Sequence, residues 1–259
     1  MATNPNIQFS SAQATDVGCV RDLNEDSIYS EAGIWLLADG MGGHACGEVA
    51  SALAIQEVRT SLSLNTALDS AIQTSHQKII EEGNSDSARA GMGTTIVALT
   101  SNNRNYHLAW VGDSRAYLWD KIKNSLTQIS EDHSLMVRLI NAGLISEQDA
   151  VTHPQRHMIT QCLGSVEIEQ VKVDQLNNEW EYQQQILLCS DGLTDEVTES
   201  KISEIMAADI ELDDKCLKLI ESAKSNGGRD NISVIIIDSP IKNPPNLLSK
   251  IRKLISSRF

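Results

Sequence analysis

Acidic residues follow two apolar runs of the sequence, and each stands directly before a glycine. Asp39 follows the run at residues 34–38, and Asp191 comes after the run at residues 186–189, with Ser190 between them. An apolar strand would fix such an aspartate at the rim of a buried sheet, where its charge has to be solvated, paired or bound to a metal. The glycine after it lets the backbone turn sharply and approach an ion, so that the Gly40 carbonyl can become a further ligand.

Similar acidic segments recur elsewhere in the chain. Asp113 follows a glycine, Asp230 lies just after a glycine pair, and Glu25 and Asp26 are adjacent. One aspartate of this form is ordinary in a loop, but several together indicate a cation site. Carboxylate, carbonyl and water oxygens are the ligands that Mg²⁺ and Mn²⁺ prefer. The sequence therefore predicts a centre for one of these ions.

Other hydrolytic and phosphate-binding chemistries lack their motifs. The sequence contains no cysteine-dependent phosphatase loop, no G-x-x-x-x-G-K-[ST] loop and no H-E-x-x-H motif. Residues 112–116 fail the G-x-S-x-G pattern because they end in alanine. Residues 40–45 match a dinucleotide-binding pattern, but Asp39 would repel a pyrophosphate and the chain continues into helix. The five cysteines have neither zinc-ribbon spacing nor a disulfide pattern.

Metal-assisted hydrolysis of a phosphate ester remains. Two divalent cations can share a bridging water, lower its pKa and clamp a phosphoryl group, so no protein nucleophile is needed. Such a site also needs a group that grasps phosphate and a proton donor for the leaving alcohol. Arg21 suits the first role through its planar guanidinium. His44, next to the Asp39 loop, suits the second.

The surrounding pattern predicts strands in clusters with helices inserted in blocks. Strands are expected at residues 7–17, 27–30, 34–38, 94–100, 106–111, 115–119, 168–173, 185–189 and 232–237, and helices at 47–62, 66–82, 134–142, 200–207 and 213–225. The three strands between 94 and 119 read as a meander. Because strict alternation of strand and helix is absent, we expect an α+β fold with antiparallel sheets face to face and helices outside them.

Composition restricts the partners and the compartment. The formal net charge of −14 argues against nucleic acid as a partner. No stretch approaches the roughly 18 consecutive apolar residues of a membrane span. The first ten residues lack a signal-peptide pattern. We therefore expect a cytoplasmic protein without a transmembrane segment.

A basic tail follows the acidic body of the chain. Residues 240–259 contain five Lys or Arg and no acid, and residues 247–255 place apolar side chains on one helical face. Three interpretations stay open: a terminal helix docked on its own acidic domain, a docking helix for a partner, or a weakly bound peripheral membrane helix. We divide the chain accordingly into a catalytic domain at 1–239 and this tail.

Eight short motifs, taken together and in order, resemble the metal-dependent serine/threonine protein phosphatases of type 2C in their compact bacterial form. They span roughly residues 10 to 238 and are Arg21-x-x-Asn24-Glu25-Asp26, Asp39-Gly40-Met41-Gly42-Gly43-His44, Gly93-Thr94-Thr95, Val111-Gly112-Asp113-Ser114-Arg115, Asp132-His133-Ser134, Ile159-Thr160-x-x-Leu163-Gly164, Ser190-Asp191-Gly192-Leu193 and Gly228-x-Asp230-Asn231. Each motif alone is weak, whereas the ordered set is specific.

The resemblance implies a four-layer αββα sandwich with Mn²⁺ or Mg²⁺ at one end: two core ions and a third, weaker one. By the same resemblance Asp39 would bridge the core ions, and the Gly40 carbonyl would bind the second. Asp191 and Asp230 would complete the first. The remaining roles are carried over as follows: Glu25 and Asp26 would act largely through bound waters, Asp113 with Asp191 would hold the third ion, Arg21 would bind substrate phosphate, and His44 would be the general acid.

The resemblance also implies what the protein acts on. It predicts hydrolysis of phosphoserine and phosphothreonine in proteins, opposing a bacterial serine/threonine kinase, by a monomeric enzyme. Residues 146–164, called the flap below, would be a variable segment beside the site that bears on substrate choice. The rival hypothesis is a non-catalytic, phosphate-sensing binding module on the same fold. The intact set of ligand positions argues against it.

Overall fold

Two antiparallel β-sheets packed face to face form the centre of the protein, in a computed structural model that describes residues 9–31, 33–42 and 46–244. The first sheet has the order β1 (Ser11–Asp16), β11 (Ile232–Asp238), β10 (Gln184–Cys189), β7 (Arg115–Asp120) and β8 (Ser125–Gln128). The second has the order β2 (Asp26–Glu31), β3 (Ile34–Met41), β5 (Ile96–Asn102), β6 (Asn105–Val111) and β9 (Asp174–Glu179). A short strand, β4 (Gly93–Thr94), pairs with the end of β3.

Successive residues of the central strands face different layers of the fold. In β3, Trp35 and Leu37 pack between the two sheets, whereas Leu36 and Ala38 pack under the helices. Side chains alternate across a strand, so a strand covered on both faces has to be apolar throughout. This is why β3, β10 and β11 appear in the sequence as continuous apolar runs.

Helices cover both outer faces of the sandwich. Two helices, α1 (Gly47–Ser63) and α2 (Leu68–Ser85), pack on the second sheet. Two others, α6 (Glu199–Ala207) and α7 (Leu212–Ser225), pack on the first. The shorter helices are α3 (Leu135–Asn141), α4 (Glu147–Thr152) and α5 (Asp191–Thr194). The predicted four-layer sandwich is therefore confirmed.

Membrane insertion can be checked on the same helices. Among those of the described residues, none combines the length and the apolar character needed to cross a membrane.

The strand predicted at residues 168–173 is wrong. The strand lies just after it, at β9, on the edge of the second sheet beside β6. Ile168, Val171 and Val173 instead pack against the core beneath α1 and α2 without joining a strand. The apolar residues at 168–173 indicated burial but not pairing in a strand. Strand β9 itself is too polar and exposed to show an alternating pattern.

The predicted meander between residues 94 and 119 is also wrong at its third strand. After β6 the chain crosses to the first sheet, where β7 pairs with β10 and β8. Strands buried on both faces carry no sign of which sheet they join, so the sequence could not separate these arrangements. Strand β8 lies just after the predicted turn at 120–124 and was missed.

The flap contains one short helix, α4, which begins with a reciprocal capping box between Ser146 and Asp149. The predicted amphipathic helix of the tail falls on residues 245–259 and so lies outside the described residues.

Candidate metal centre

The predicted cation ligands lie at one end of the sandwich. Asp26 and Asp39 face each other across the β2–β3 pair. Asp191 directly follows β10, and Asp230 stands two residues before β11. Because β10 and β11 are antiparallel neighbours, the end of one and the start of the other meet at the same edge. Asp39 lies inside β3 and not after it as expected.

The carboxylates are close enough to repel one another. Burial raises the pKa of Asp39 well above its usual range, and the charges of Asp26, Asp191, Asp113 and Asp230 raise it further. Burial likewise raises the pKa of Asp191 well above its usual range, with Asp113 and Asp230 among the charges that add to it. A divalent cation placed among these groups would offset both the burial and the repulsion.

One carboxylate oxygen of Asp26 has no hydrogen-bond partner among the described residues. Its Oδ2 accepts a hydrogen bond of 2.9 Å from the Ser190 hydroxyl. Its Oδ1 is buried and finds no hydrogen-bond partner among the described residues. Burial raises the pKa of Asp26 to about 6, although hydrogen bonds from Ser233 and Ser190 oppose the shift. A buried carboxylate oxygen without a donor fits a water or a cation in this position.

The backbone at Gly40 is packed so closely that only glycine fits. A Cβ there would lie 2.2 Å from the Gly47 carbonyl oxygen and 2.5 Å from that of Glu25. The Gly40 amide donates to the same Glu25 oxygen at 3.2 Å. This brings the segments of Glu25 and Gly40 together at the rim of the sheet, as the ligand prediction requires.

The Asp113 loop is held from two sides. The Asp39 amide donates to the Thr95 hydroxyl at 3.1 Å, and the Thr95 and Ser114 hydroxyls are 2.7 Å apart. On the other side, Nδ1 of His133 accepts from the Gly112 amide at 3.1 Å. His133 thus has a structural, hydrogen-bonding role.

Asp113 itself is poised to take up positive charge. Burial and the neighbouring Asp132 charge raise its pKa to about 6, and Arg115 partly opposes them. Arg115 is committed to Asp132 through a bond of 2.6 Å. Arg115 therefore mainly neutralises Asp132 and not Asp113.

Arg21 lies against one of the predicted ligands. Its Nη2 donates to Asp230 Oδ2 at 2.7 Å, and the two side chains are 48% and 36% exposed. Within the described residues, no three Asp, Glu, His or Cys side chains converge tightly enough to hold an ion by themselves. An ion at this end would therefore need carbonyl and water oxygens as well, which suits Mg²⁺ and Mn²⁺. With that addition, the residues fit these cations.

Asn231 ties the acidic loop to the sheet. Its Oδ1 accepts from the Glu25 amide at 2.8 Å, and its Nδ2 donates to the carbonyls of Val17 and Leu23 at 3.0 and 2.9 Å. Asn231 therefore holds the loop that carries Glu25.

Three further observations concern residues at or near the predicted site. Asp195, on the turn that follows Asp191, was missed because α5 was not predicted, and it pairs with His157 of the flap at 3.1 Å. The hydroxyls of Ser190 and Thr95 were also missed as site residues, because no residue pattern marks such contacts. His44 lies outside the described residues, so its role stays a prediction.

The four-layer sandwich with buried carboxylates gathered at its end fits a metal-dependent hydrolase. A family model described as "Protein phosphatase 2C" matches residues 7–136. The "Serine/threonine phosphatase stp" of Listeria monocytogenes is 38% identical over 240 residues, which cover 86% of this chain and 93% of that protein. The chain therefore belongs to the protein phosphatase 2C family.

Solved structures agree with this assignment. The crystal structure of the Mycobacterium tuberculosis serine/threonine phosphatase PstP/Ppp has a TM-score of 0.81 at 36% identity, covering 89% of this chain and 98% of that one. The catalytic domain of PstP in complex with two manganese ions has a TM-score of 0.78 at 34% identity, covering 89% and 97%. The resemblance and the fold expected from the sequence are both confirmed.

Proposed function

We propose that this chain is a protein serine/threonine phosphatase that hydrolyses phosphoserine and phosphothreonine with Mn²⁺ or Mg²⁺. The observation that carries this is the meeting of Asp39, Asp191, Asp113, Asp26 and Asp230 at one end of the sandwich, where burial and the neighbouring charges raise the pKa values of Asp39 and Asp191. Without a cation, burying these negative charges next to one another is energetically unfavourable. The guanidinium of Arg21, which lies against Asp230 of this cluster, suits a phosphate ester as the substrate.

The same residues support an assignment of ligands. Asp39 would bridge two ions, the Gly40 carbonyl would bind the second, and Asp191 and Asp230 would complete the first. Glu25 and Asp26 would act through waters, consistent with the unpartnered Asp26 Oδ1. Asp113 would share a third, weaker ion with Asp191. When bound, the cations supply an activated water and neutralise charge on the phosphoryl group.

Arg21 and His44 would serve the two ends of the reaction. One Arg21 nitrogen donates to Asp230, and a guanidinium has five N–H donors, so others can grasp the phosphate. As the water oxygen joins phosphorus, the bond to the serine or threonine oxygen breaks. That oxygen needs a proton, for which His44 is the proposed donor.

The direct test is phosphate release from a phosphothreonine peptide and from p-nitrophenyl phosphate. We expect release with Mn²⁺, loss of release after chelation, and recovery when Mn²⁺ is restored. A phosphotyrosine peptide of the same sequence serves as the control for substrate class. Absence of metal-dependent release would favour the non-catalytic binding module.

The affinity for Mn²⁺ should depend on pH. The pKa values of Asp26 and Asp113 are raised to about 6 in the metal-free protein, so below that pH these groups hold protons that an ion has to displace. We expect affinity to fall as the pH is lowered through about 6. Calorimetry in two buffers of different ionisation enthalpy measures the protons released. An affinity that is constant across this range contradicts the prediction.

Asp113→Asn should weaken only the third ion. Removing its charge leaves the core ligands in place, so we expect about tenfold weaker binding of the third ion and a lower turnover. Titration calorimetry with Mn²⁺ gives the number and affinity of the ions. Asp120→Asn, at the far end of β7, makes the same chemical change away from the site and is the control. Tight binding of all three ions by Asp113→Asn would contradict the assignment.

The cellular setting is proposed from the family. Bacterial members imply phosphoproteins made by a serine/threonine kinase as partners, a monomeric enzyme and a cytoplasmic location. The flap, residues 146–164, would influence which phosphoproteins enter. The catalytic domain would be residues 1–239, and the basic tail would serve targeting and not chemistry.

Removing the tail should therefore leave catalysis intact. Ile241 packs against the core between the sheets, so the truncation that spares the core deletes residues 245–259. We expect turnover of p-nitrophenyl phosphate within about twofold of the full chain, since every proposed ligand is retained. Loss of turnover in a truncated protein with an unchanged melting temperature would show that the tail takes part in the chemistry.

A further inference from the structure

Helix α2 carries a buried histidine that the reaction above does not use. His76 has no exposed surface. Its Nδ1 accepts a hydrogen bond from the Gly164 amide at 3.1 Å, and its Nε2 lies 2.8 Å from the Ile168 carbonyl oxygen. Because Nδ1 is an acceptor here and a carbonyl can only accept, Nε2 carries the proton and the ring is neutral.

These two bonds attach the C-terminal end of the flap to α2. The neighbouring Gln77 adds a third bond, from its Nε2 to the Glu169 carbonyl at 2.7 Å. Gly164 has a φ of +88°. A Cβ on it would lie 2.5 Å from Ile79 and 2.6 Å from the Met92 carbonyl oxygen, so the chain is wedged between α2 and the start of β4.

The residue before Gly164 continues toward the metal centre. Leu163 and Thr94 exchange two backbone hydrogen bonds, of 3.1 and 2.8 Å. Thr94 is paired with Gly40 at the end of β3. Its hydroxyl donates to the Asp39 carbonyl at 2.8 Å. A continuous path of hydrogen bonds and adjacent residues thus runs from His76 to the backbone of Asp39 and Gly40.

We propose that His76 is a positioning residue of the phosphatase. By holding Gly164, it fixes the end of the flap against β4 and so fixes the backbone of the two residues proposed to bind both core ions. This inference rests on the proposed function, since it takes Asp39 and Gly40 to be ligands. It adds a contribution to ion binding from a helix outside every motif of the site.

The two ring nitrogens can be tested separately by substitution. In His76→Asn the side-chain oxygen can occupy roughly the place of Nδ1 and keep the Gly164 bond. In His76→Gln the side-chain nitrogen can reach roughly the place of Nε2 and keep the Ile168 bond. His76→Leu removes both bonds at similar volume.

A control is needed for general loss of stability. Ile72, on the same helix, is as buried as His76 and packs in the core beneath the helices. Ile72→Val should lower stability by creating a small cavity while leaving the hydrogen bonds of His76 in place. All proteins are compared well below their melting temperatures, so that folded molecules are measured throughout.

Three measurements report on the proposal. Mn²⁺ calorimetry gives the affinity of the core ions, steady-state kinetics on a phosphothreonine peptide separates kcat from KM, and hydrogen exchange gives the protection of the Gly164 amide. We expect His76→Gln and His76→Leu to weaken core-ion binding by about three- to tenfold, the loss of one buried hydrogen bond partly transmitted. Gly164 protection should fall with it, and His76→Asn should recover most of both.

The outcomes separate this inference from the proposed function. If His76→Gln, His76→Leu and Ile72→Val all keep the Mn²⁺ affinity of the parent, His76 is only a core hydrogen-bonding residue and the inference is overturned. Equal losses in His76→Asn and His76→Gln also overturn it, because the Gly164 bond would then have no special part. A parent protein that neither binds Mn²⁺ nor releases phosphate would instead refute the proposed function.

Discussion

Asp39→Asn is expected to lower metal-dependent turnover by at least about 10³-fold, which corresponds to about 4 kcal/mol of lost transition-state stabilisation. The substitution keeps the shape of the side chain but removes the charge of the group proposed to bridge both core ions. Asp191→Asn should have a similar effect, because ligands of one centre act as a unit and their losses are not additive. Steady-state phosphate release over a range of Mn²⁺ concentrations measures both effects.

This loss should not come from unfolding. The pKa of Asp39 is raised by burial and by neighbouring charges, so a neutral isostere relieves the metal-free protein. We therefore expect the free energy of unfolding of metal-free Asp39→Asn to equal or exceed that of the parent. Asp214→Asn, on the exposed surface of α7, controls for the substitution itself. Full turnover of Asp39→Asn in Mn²⁺ would contradict its role as a bridging ligand.

Mn²⁺ should raise the melting temperature of the protein by about 5–10 °C. A ligand present at 100 times its Kd stabilises the folded state by about 2.7 kcal/mol, and 1 kcal/mol moves the melting temperature of a domain this large by about 2–4 °C. The mechanism is the neutralisation of carboxylates that are buried and repel one another. Differential scanning calorimetry with chelator and with Mn²⁺ gives the shift directly.

The rise in melting temperature with Mn²⁺ should depend on the proposed ligands. Asp191→Asn should reduce the shift strongly, whereas Asp214→Asn should leave it as in the parent. Sodium at matched ionic strength controls for general screening of the acidic surface. A melting temperature that Mn²⁺ does not change, or that rises equally in Asp191→Asn, would argue against a site at these residues.

The parts of the centre that local sequence could predict are those where one segment carries its own signal. Asp39 and Asp191 were found because an apolar run and a glycine surround each of them. Both aspartates do lie at the end of the sandwich. An apolar strand has to be buried, and a charged group that follows it can stay only at the rim of the sheet. The facing antiparallel sheets with helices outside them were expected from strands that cluster without strict alternation with helices, and the four-layer sandwich was implied by the family resemblance.

Pairing between distant segments was beyond such reasoning. Strand β7 is as apolar as the strands before it in the chain, so its own residues do not indicate that it joins the first sheet and not the second. Edge strand β9 is polar because its outer side is exposed, and it therefore lacks the pattern that marks a strand. The Thr95–Ser114 contact and the His76 bonds to the flap join residues that lie 19 and 88–92 positions apart. Within its own segment, none of these residues stands out by its type or its spacing.

The central claim is that these carboxylates bind divalent ions, and anomalous diffraction from a crystal grown with Mn²⁺ tests it most directly. Data collected at the manganese absorption edge locate Mn²⁺ without reference to any assumed ligand. We expect at least two peaks at the end of the sandwich, within bonding distance of oxygens of Asp39, Gly40, Asp191 and Asp230. Peaks elsewhere only, with these four residues making no contact to an ion, would contradict the account.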